Sequence, residues 1–479
     1  MTASDERPIG ASDDLALRTA TELVAGYAAR RFDPVDVLEA VLARVERLEP
    51  RLNAFYRLVP EQARAAAAAS ARRWAADAPL GPLDGVPITI KENVATAGTP
   101  QPSGTAAWAD APPATADGPI ARLLAEDGAV RFGTTVMPDF GMLSSGVSSL
   151  HGVTRSPWNP AWTVGGSSGG AGAAAAASLG PVHSGSDIGG SVRLPASWLG
   201  LVGHKPTHGL VPVDPPYLWR CIGPLARTVD DASLFLEVAT GDDPRDHTQV
   251  PVVHDWGAVR IDPRQDLRGL RVAWHLDAGW GAPVDPEVAA TVRGAVERFG
   301  EAGADVTEIA PFATPEMLDA LDLFLRARSL LDLERMPPER RARVLPFILD
   351  WTEGARGADG LAVLDAFQQV QALRARTVAA TLPHDVVISP VSPGAAFPAE
   401  WPMPSNDPAT SLHHIGFTAP YNVSDQPAVS LNAGFTADGR PVGVQLAGRR
   451  FDDVVLLRIA RWFETARGAA ATPDWASIA

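Results

Sequence analysis

The chain has 479 residues, of which 46% are apolar and 20% charged, a composition typical of a folded globular protein and not of a disordered one. Its formal net charge of −15 argues against non-specific nucleic-acid binding and against binding to anionic membranes. A single cysteine, Cys221, excludes an internal disulfide and suits a reducing compartment. The polar, acidic N-terminus has no signal-peptide pattern, so we expect a cytoplasmic protein.

The first part of the chain predicts helices. Apolar residues recur at helical spacing in 15–31, 33–50 and 61–77. The second segment has a clear start, since Asp33 can cap the helix, Pro34 suits its first turn and Asp36 adds an acid there. The basic stretch 326–343 is interleaved with acids and is typical of a solvated helix face.

From residue 85 onward, strands alternate with helices. Val86, Ile88 and Ile90 alternate like a strand that ends at Lys91. Further strands are predicted near 129–135, 269–277, 304–311, 385–393 and 441–448, with helices near 118–128, 286–303 and 452–466. The small-residue run 171–180 predicts a buried helix too short to span a bilayer. This alternation predicts an α/β fold with a largely parallel or mixed central sheet.

Lysine is almost absent from the chain. Lys91 and Lys205 are the only lysines among 41 basic residues. Arginine supplies a permanent charge, whereas a buried lysine can lose its proton and act as a base. A lysine at the end of a buried strand is therefore a candidate base, although mutational bias would explain the count equally well.

Two glycine-serine stretches, VGGSSGGAGAAAAA (164–177) and GSDIGGSVRLPAS (185–197), carry most of the chemical information. The first fits a dinucleotide motif poorly, because no firm strand precedes it. It also fits the G-x-S-x-G elbow of serine hydrolases, with Ser168 as nucleophile. The third interpretation joins both stretches in one site, in which the N–H groups around Gly189 and Gly190 stabilise an oxyanion and Ser191 is the nucleophile.

These segments resemble the amidase signature family. Its three signature parts are GVPITIKEN with Lys91, the run GGSSGG and GSDIGGSVRLPA. The resemblance continues through GHKPTHGLVP, GPLARTVDDA and the stretch 421–453. The sequence departs from the usual pattern at Ser186, where threonine is common, and at His204 and His208.

The resemblance implies a serine–serine–lysine triad on a large mixed sheet flanked on both faces by helices. Ser191 resembles the acyl-accepting nucleophile, Ser167 the bridging serine on a cis peptide bond, and Lys91 the base. The oxyanion hole then consists of the N–H groups of Ile188, Gly189, Gly190 and Ser191.

The resemblance also assigns supporting positions. The residues that fix the catalytic loops are Gly166, Ser168, Asp187 and Arg193. The candidates for the substrate pocket are Gly141, Met142, Leu143 and Trp219, the last equally suited to a core position. Lys205 is expected to be structural.

The implied function is cofactor-independent hydrolysis of C–N bonds in amides through an acyl-serine intermediate, with aryl esters, anilides and carbamates (urethanes) as further substrates. We expect a small-molecule substrate, no metal, no nucleic-acid or membrane partner, and a monomer or homodimer. The alternatives are the amidase subunit of a tRNA-dependent glutamine amidotransferase and a non-catalytic binding protein. One domain, 1–479, is expected, with a helical part (about 14–78), a signature core (about 80–235) and a substrate-facing insert (about 310–410).

Overall fold

The computed structural model describes residues 13–261, 266–469 and 471–474. Within these ranges the strands are β1 (Phe55–Leu58), β2 (Pro87–Lys91), β3 (Val130–Thr135), β4 (Val147–Ser148), β5 (Gly152–Val153), β6 (Val182–Asp187), β7 (Val202–Lys205), β8 (Cys221–Ala226), β9 (Arg271–Trp274), β10 (Asp305–Glu308), β11 (Val386–Pro390), β12 (Ala428–Phe435) and β13 (Pro441–Ala447).

The α-helices in the same ranges are α1 (Asp13–Ala16), α2 (Ala20–Ala28), α3 (Pro34–Leu52), α4 (Pro60–Ala75), α5 (Pro119–Glu126), α6 (Gly169–Ala176), α7 (Arg193–Leu199), α8 (Val229–Ala239), α9 (Pro286–Glu301), α10 (Pro315–Glu334), α11 (Pro338–Arg341), α12 (Pro346–Glu353), α13 (Gly360–Thr381), α14 (Ala419–Val423) and α15 (Asp453–Arg467). Short 3₁₀ turns lie at 106–108, 139–141, 256–260, 408–410 and 413–415. None of the described helices is long and apolar enough to span a bilayer.

Eleven of the described strands form one mixed sheet, in the order β1-β3-β2-β6-β8-β7-β12-β13-β11-β9-β10. The neighbours β3, β2 and β6 run parallel, and so do β11, β9 and β10, whereas the strands between these groups pair antiparallel. Every residue of β2, β6, β8, β11 and β13 is buried. Helices therefore cover both faces of the sheet, which confirms the predicted α/β architecture.

The N-terminal helices follow local sequence signals. Asp33 caps α3 through its side chain, as the sequence predicts, and it also forms a capping box with Asp36. The single helix predicted over 15–31 is wrong, because Thr19 forms a second capping box with Glu22 and starts α2 there. The helical part predicted for 14–78 also contains a strand, β1, which pairs with β3.

Helix α6 is buried along its whole length because its residues are small. A Cβ added at Gly170 would lie 2.4 Å from Ala54 O and 2.7 Å from Val136 N. The glycine therefore allows the helix to approach the neighbouring backbone closely. This contact fixes α6, and with it the serine loop that precedes the helix, against the strands of the sheet.

A second hydrophobic cluster lies apart from the sheet core and comes largely from α10, α12 and α13. Leu318, Leu321, Ile348 and Val370 are among its buried members. The solvated helix face predicted for 326–343 is wrong in part. Arg326 is buried and pairs with Asp322, and its guanidinium donates to the carbonyl of Trp351, because α10 packs between other helices.

Candidate active site

A cavity of about 280 Å³ lies beyond the carboxyl ends of the parallel strands β3, β2 and β6. Met137, Asn93 and Ile188 line it, and each follows the end of one of these strands. The carboxyl edge of a parallel sheet is where α/β proteins commonly place their sites, because the loops that leave the strands converge there. The signature segments contribute further lining residues: Ser167, Ser186, Gly189 and Ser191.

Lys91, the last residue of β2, is fully buried beside this cavity. Its Nζ lies 2.8 Å from Ser167 Oγ, 3.0 Å from Ser168 Oγ and 3.0 Å from Ser186 Oγ. Among the described residues no carboxylate forms an ion pair with this amine. Three serine hydroxyl groups therefore form its hydrogen bonds.

Burial lowers the pKa of Lys91 from 10.5 to about 7. The negative charges of Asp187 and Glu92 act in the opposite direction, and the positive charge of Arg220 adds to the lowering. A large fraction of the amine is consequently neutral near pH 7, whereas an exposed lysine would be almost entirely protonated.

Ser167 follows a cis peptide bond from Gly166 and lies at the wall of the cavity. A Cβ at Gly166 would lie 2.6 Å from the backbone atoms Leu143 O, Ser145 N and Ser145 O, so no larger residue fits there. Ser168, the next residue, is fully buried, and its hydroxyl bonds the backbone of Ser186. It lies outside the cavity lining, which disfavours Ser168 as nucleophile.

Ser191 ends the tight turn that follows β6 and lines the cavity. Within the described residues the N–H groups of Ile188, Gly189 and Ser191 have no acceptor in the protein. The N–H of Gly190 differs from the prediction, since it donates to Asp187 Oδ1 at 2.8 Å. It is therefore committed to the turn and is unavailable to an oxyanion.

An ion pair between Asp187 and Arg193 holds this turn. Both side chains are fully buried, and the guanidinium donates to both carboxylate oxygens at 3.1 and 2.9 Å. Val192 N and Asn422 Nδ2 add further hydrogen bonds. Burial raises the pKa of Asp187, but the charge of Arg193 and these donors outweigh burial and hold the pKa well below its usual range.

The predicted pocket residues Gly141, Met142, Leu143 and Trp219 all line the cavity. Trp219 is also part of the second hydrophobic cluster, where it stacks on Phe367 with ring centroids 6.5 Å apart. Trp219 thus lies both at the cavity and in the hydrophobic cluster.

The sequence reasoning missed the lining residues that come from other parts of the chain. The apolar ones include Leu321, Leu325, Leu333 and Met336, from α10 and the turn after it. The polar ones include Tyr217, Arg220, Arg328 and Asp332. The arginine-rich stretch 326–343 is a sequence signal for Arg328 and Asp332, whereas nothing in the sequence marks Tyr217 and Arg220.

Lys205 lies at the end of β7, away from the lining of the cavity. It is fully buried, and its Nζ donates to Pro206 O at 2.9 Å and contacts Cys221 Sγ at 3.8 Å. These contacts favour the structural role that the sequence predicts for this lysine.

Comparison with known proteins matches these features to one family. The Amidase family model matches residues 36–457. An acylamidase of Rhodococcus erythropolis is 37% identical over 464 residues, covering 94% of this chain and 95% of the relative. A glutamyl-tRNA(Gln) amidotransferase subunit of Chloroflexus aurantiacus is 34% identical, covering 92% of this chain and 95% of the relative.

Solved structures agree with the sequence relatives. The crystal structure of a bacterial aryl acylamidase of the amidase signature family superposes with a TM-score of 0.85 at 27% identity, covering 94% of this chain and 96% of the other. A 6-aminohexanoate cyclic dimer hydrolase in complex with its substrate superposes with a TM-score of 0.83 at 28% identity, covering 96% and 99%. These relatives favour an enzyme over the non-catalytic alternative. The chain belongs to the amidase family and is an amide hydrolase.

Proposed function

We propose that the protein hydrolyses acyl amides, anilides among them, through an acyl intermediate on Ser191, with Ser167 and Lys91 moving the proton. The observation that carries this proposal is the buried amine of Lys91, 2.8 Å from Ser167 Oγ, at a cavity that Ser191 also lines. The names of two relatives, an acylamidase and an aryl acylamidase, support the choice of substrate class.

The hydrogen bonds around the amine indicate which hydroxyl exchanges a proton with it. A neutral amine has two N–H donors and one lone pair. Ser168 Oγ gives its own proton to Ser186 O at 3.2 Å, and Ser186 Oγ already accepts from Asn93 Nδ2 at 3.0 Å. Ser168 can therefore only accept from the amine, and we assign the lone pair of Lys91 to the proton of Ser167, whose Oγ is the nearest of the three at 2.8 Å, with Ser186 accepting the second amine proton.

The reaction then proceeds in two halves. The Ser191 hydroxyl loses its proton through Ser167 to Lys91, and Ser191 Oγ attacks the amide carbon. The N–H groups of Ile188, Gly189 and Ser191 stabilise the oxyanion. As the C–N bond breaks, the proton returns through Ser167 to the leaving nitrogen. Water then repeats the same steps on the acyl-serine, which releases the acid and restores Ser191.

The first test is the substitution Ser191→Ala. It removes the nucleophile, so we expect turnover of an acetanilide to fall by at least about four orders of magnitude, as when a serine hydrolase loses its triad. Labelling by a fluorophosphonate, followed by mass spectrometry, should find the adduct on the wild-type Ser191 peptide and none on the variant. Ser145→Ala, which changes a buried serine outside the cavity lining, is the matched control. Full labelling of the Ser191→Ala protein would contradict the proposal.

The same chemistry extends to carbamates and aryl esters, because an oxygen leaving group is easier to expel than an amine. Comparing an anilide, a primary amide and an aryl carbamate at equal concentration ranks these classes. A role within an amidotransferase has the support of the 34% identical relative. Glutaminase activity that rises when partner subunits are added would favour that role.

We further propose that 1–479 acts as one domain, a monomer or homodimer in the cytoplasm. Support comes from the sheet, which joins strands from both ends of the sequence. Size-exclusion chromatography with light scattering tests the oligomeric state.

A further inference from the structure

Two arginines and a tyrosine form one polar part of the cavity lining. Arg220 Cζ lies 5.1 Å from the ring centroid of Tyr217, and Arg328 Cζ lies 4.7 Å from the same centroid. All three residues line the cavity together with Ser191 and Ser167. Arg220 precedes β8 and Arg328 lies on α10, so two distant parts of the chain bring these charges together.

The guanidinium groups are incompletely satisfied. Arg220 Nε and both Nε and Nη1 of Arg328 are buried without a hydrogen-bond partner among the described residues. Arg220 does donate from Nη2 to Pro215 O at 2.7 Å. Burial lowers the pKa of both side chains, and the positive charge of Arg328 lowers the pKa of Arg220 further.

No carboxylate in the described part of the chain forms an ion pair with either arginine. Asp332 lines the cavity but is exposed, and it acts on Arg328, as Asp214 and Asp246 act on Arg220, only from beyond ion-pair distance. Arg220 and Arg328 are half-buried, and they differ from two buried arginines, Arg193 and Arg326, which pair with Asp187 and Asp322. Buried charges without partners are costly, and a ligand anion removes that cost.

We propose that the cavity binds amides that carry a carboxylate, and that Arg220 and Arg328 hold this carboxylate while the amide carbon meets Ser191. The inference rests on the proposed function and adds the substrate class to it. A carboxylate is planar and accepts two hydrogen bonds from one guanidinium. It therefore suits the guanidinium groups of Arg220 and Arg328, which both lie against the ring of Tyr217. An uncharged carbonyl would use the donors but leave the charges uncompensated.

The test compares kcat/KM within pairs of substrates that differ only in charge. The acyl-side pairs are the mono-para-nitroanilides of succinic, glutaric and adipic acid, each beside its methyl ester. The amine-side pairs are meta- and para-carboxyacetanilide, each beside its carboxamide. The wild type, Arg220→Gln, Arg328→Gln and Arg335→Gln are assayed. Arg335, exposed at the end of α10 and outside the cavity lining, controls for the loss of one positive charge.

We expect the wild type to prefer the acid in at least one pair. That acid-to-neutral ratio should fall by about tenfold to a hundredfold in Arg220→Gln and Arg328→Gln, as for the loss of a charged hydrogen bond, and should persist in Arg335→Gln. If the arginine variants do not fold, stronger inhibition of the wild type by glutarate than by glutaramide supports the inference.

The opposite results overturn it. Equal rates for acid and neutral members in the wild type, or an acid preference that survives both arginine substitutions, would show that these side chains bind no carboxylate. In both cases the proposed function stands as long as the neutral anilides are hydrolysed. If no anilide of either kind is hydrolysed, the proposed function itself fails.

Discussion

The charge on Lys91 is set by a balance between burial and the surrounding carboxylates. Burial favours the neutral amine, whereas Asp187 and Glu92 favour the charged form. Neither carboxylate hydrogen-bonds to the amine, because Asp187 is occupied by Arg193 and Glu92 accepts from Met137 N and contacts His151. The three serine hydroxyl groups around the amine are uncharged, and they can hydrogen-bond to both its neutral and its protonated form. Lys91 can therefore take and return a proton near neutral pH.

This balance predicts the pH dependence of the reaction. Lys91 acts as a base only when neutral, so kcat/KM for an uncharged anilide should fall about tenfold per pH unit below about 7 and level off above it. Arg220 lowers the pKa of Lys91, so Arg220→Gln should shift this bend to higher pH. Stopped assays from pH 5 to 9 measure both profiles. A rate that is independent of pH across this range would exclude Lys91 as the base.

At the scale of elements, the turn between β6 and α7 depends on the buried pair of Asp187 and Arg193. Arg193 also donates to Thr418 O at 3.0 Å and to Gln445 Oε1 at 2.7 Å. The pair thereby ties the turn to the segment that precedes α14 and to β13. The position of Ser191 thus depends on contacts with residues more than 200 positions later in the chain.

Asp187→Asn tests this dependence. It leaves the Arg193 guanidinium buried and uncompensated, so we expect the free energy of unfolding to fall by about 3–5 kcal/mol and activity to fall with it. Urea denaturation followed by circular dichroism measures the first effect. Asp77→Asn breaks the exposed pair with Arg30 and should cost at most about 1 kcal/mol. Equal losses of unfolding free energy in the two variants would show that the buried pair contributes no more to stability than the exposed pair.

The elements differ in how well their sequences predict them. Helix α3 and strand β2 carry clear signals, in the cap at Asp33 and the apolar residues before Lys91. Strand β6 reads VHSGSD, which has neither apolar alternation nor β-branched enrichment. It is a central strand because its small and polar residues are satisfied by tertiary contacts, such as the 2.7 Å hydrogen bond between His183 Nδ1 and Thr89. Local patterns contain no such information.

At the scale of the whole molecule, the proposed catalytic residues and the apolar wall of the cavity come from different parts of the chain. Lys91, Ser167 and Ser191 lie in the signature core (about 80–235), whose strands in the eleven-stranded sheet belong to the first half of its order. The apolar wall belongs to α10 and the second hydrophobic cluster. We therefore expect substitutions in α10 and the turn after it to change substrate affinity more than they change the reactivity of Ser191.

Met336→Ala tests this division. Met336 is half-buried and lines the cavity, and burying a side chain of this size contributes about 1.5–3 kcal/mol. We expect KM for a bulky anilide to rise by about tenfold or more, whereas the rate of labelling by a small fluorophosphonate stays close to that of the wild type. Leu331→Ala, which is exposed on α10, should change neither value. If Met336→Ala lowered kcat and left KM unchanged, α10 would not act mainly on substrate affinity.

The three proposed catalytic residues and one part of the cavity lining, Gly141–Leu143 with Trp219, could be predicted from the sequence, whereas the part formed by Arg220 and Arg328 could not. The scarcity of lysine and three motifs, each a short continuous stretch of sequence, indicate Lys91, Ser167 and Ser191 as catalytic candidates. Arg220 and Arg328 are 108 positions apart and belong to no motif, so only the packing of α10 over the turn before β8 brings them to one ring. The use of the Gly190 N–H by Asp187 was equally hidden, since a sequence does not say which way a peptide group faces.

Gly166 sets a limit on how this enzyme can be altered. The backbone of Leu143 and Ser145 fills the space where any side chain at 166 would lie, and Leu143 belongs to the cavity wall. A change of loop conformation at 143–145, made to admit a larger acyl group, would thus also press on the peptide that carries Ser167. Engineering of substrate range is better directed at α10, where the wall can be reshaped without moving Lys91 and Ser167, the proposed proton-transfer residues.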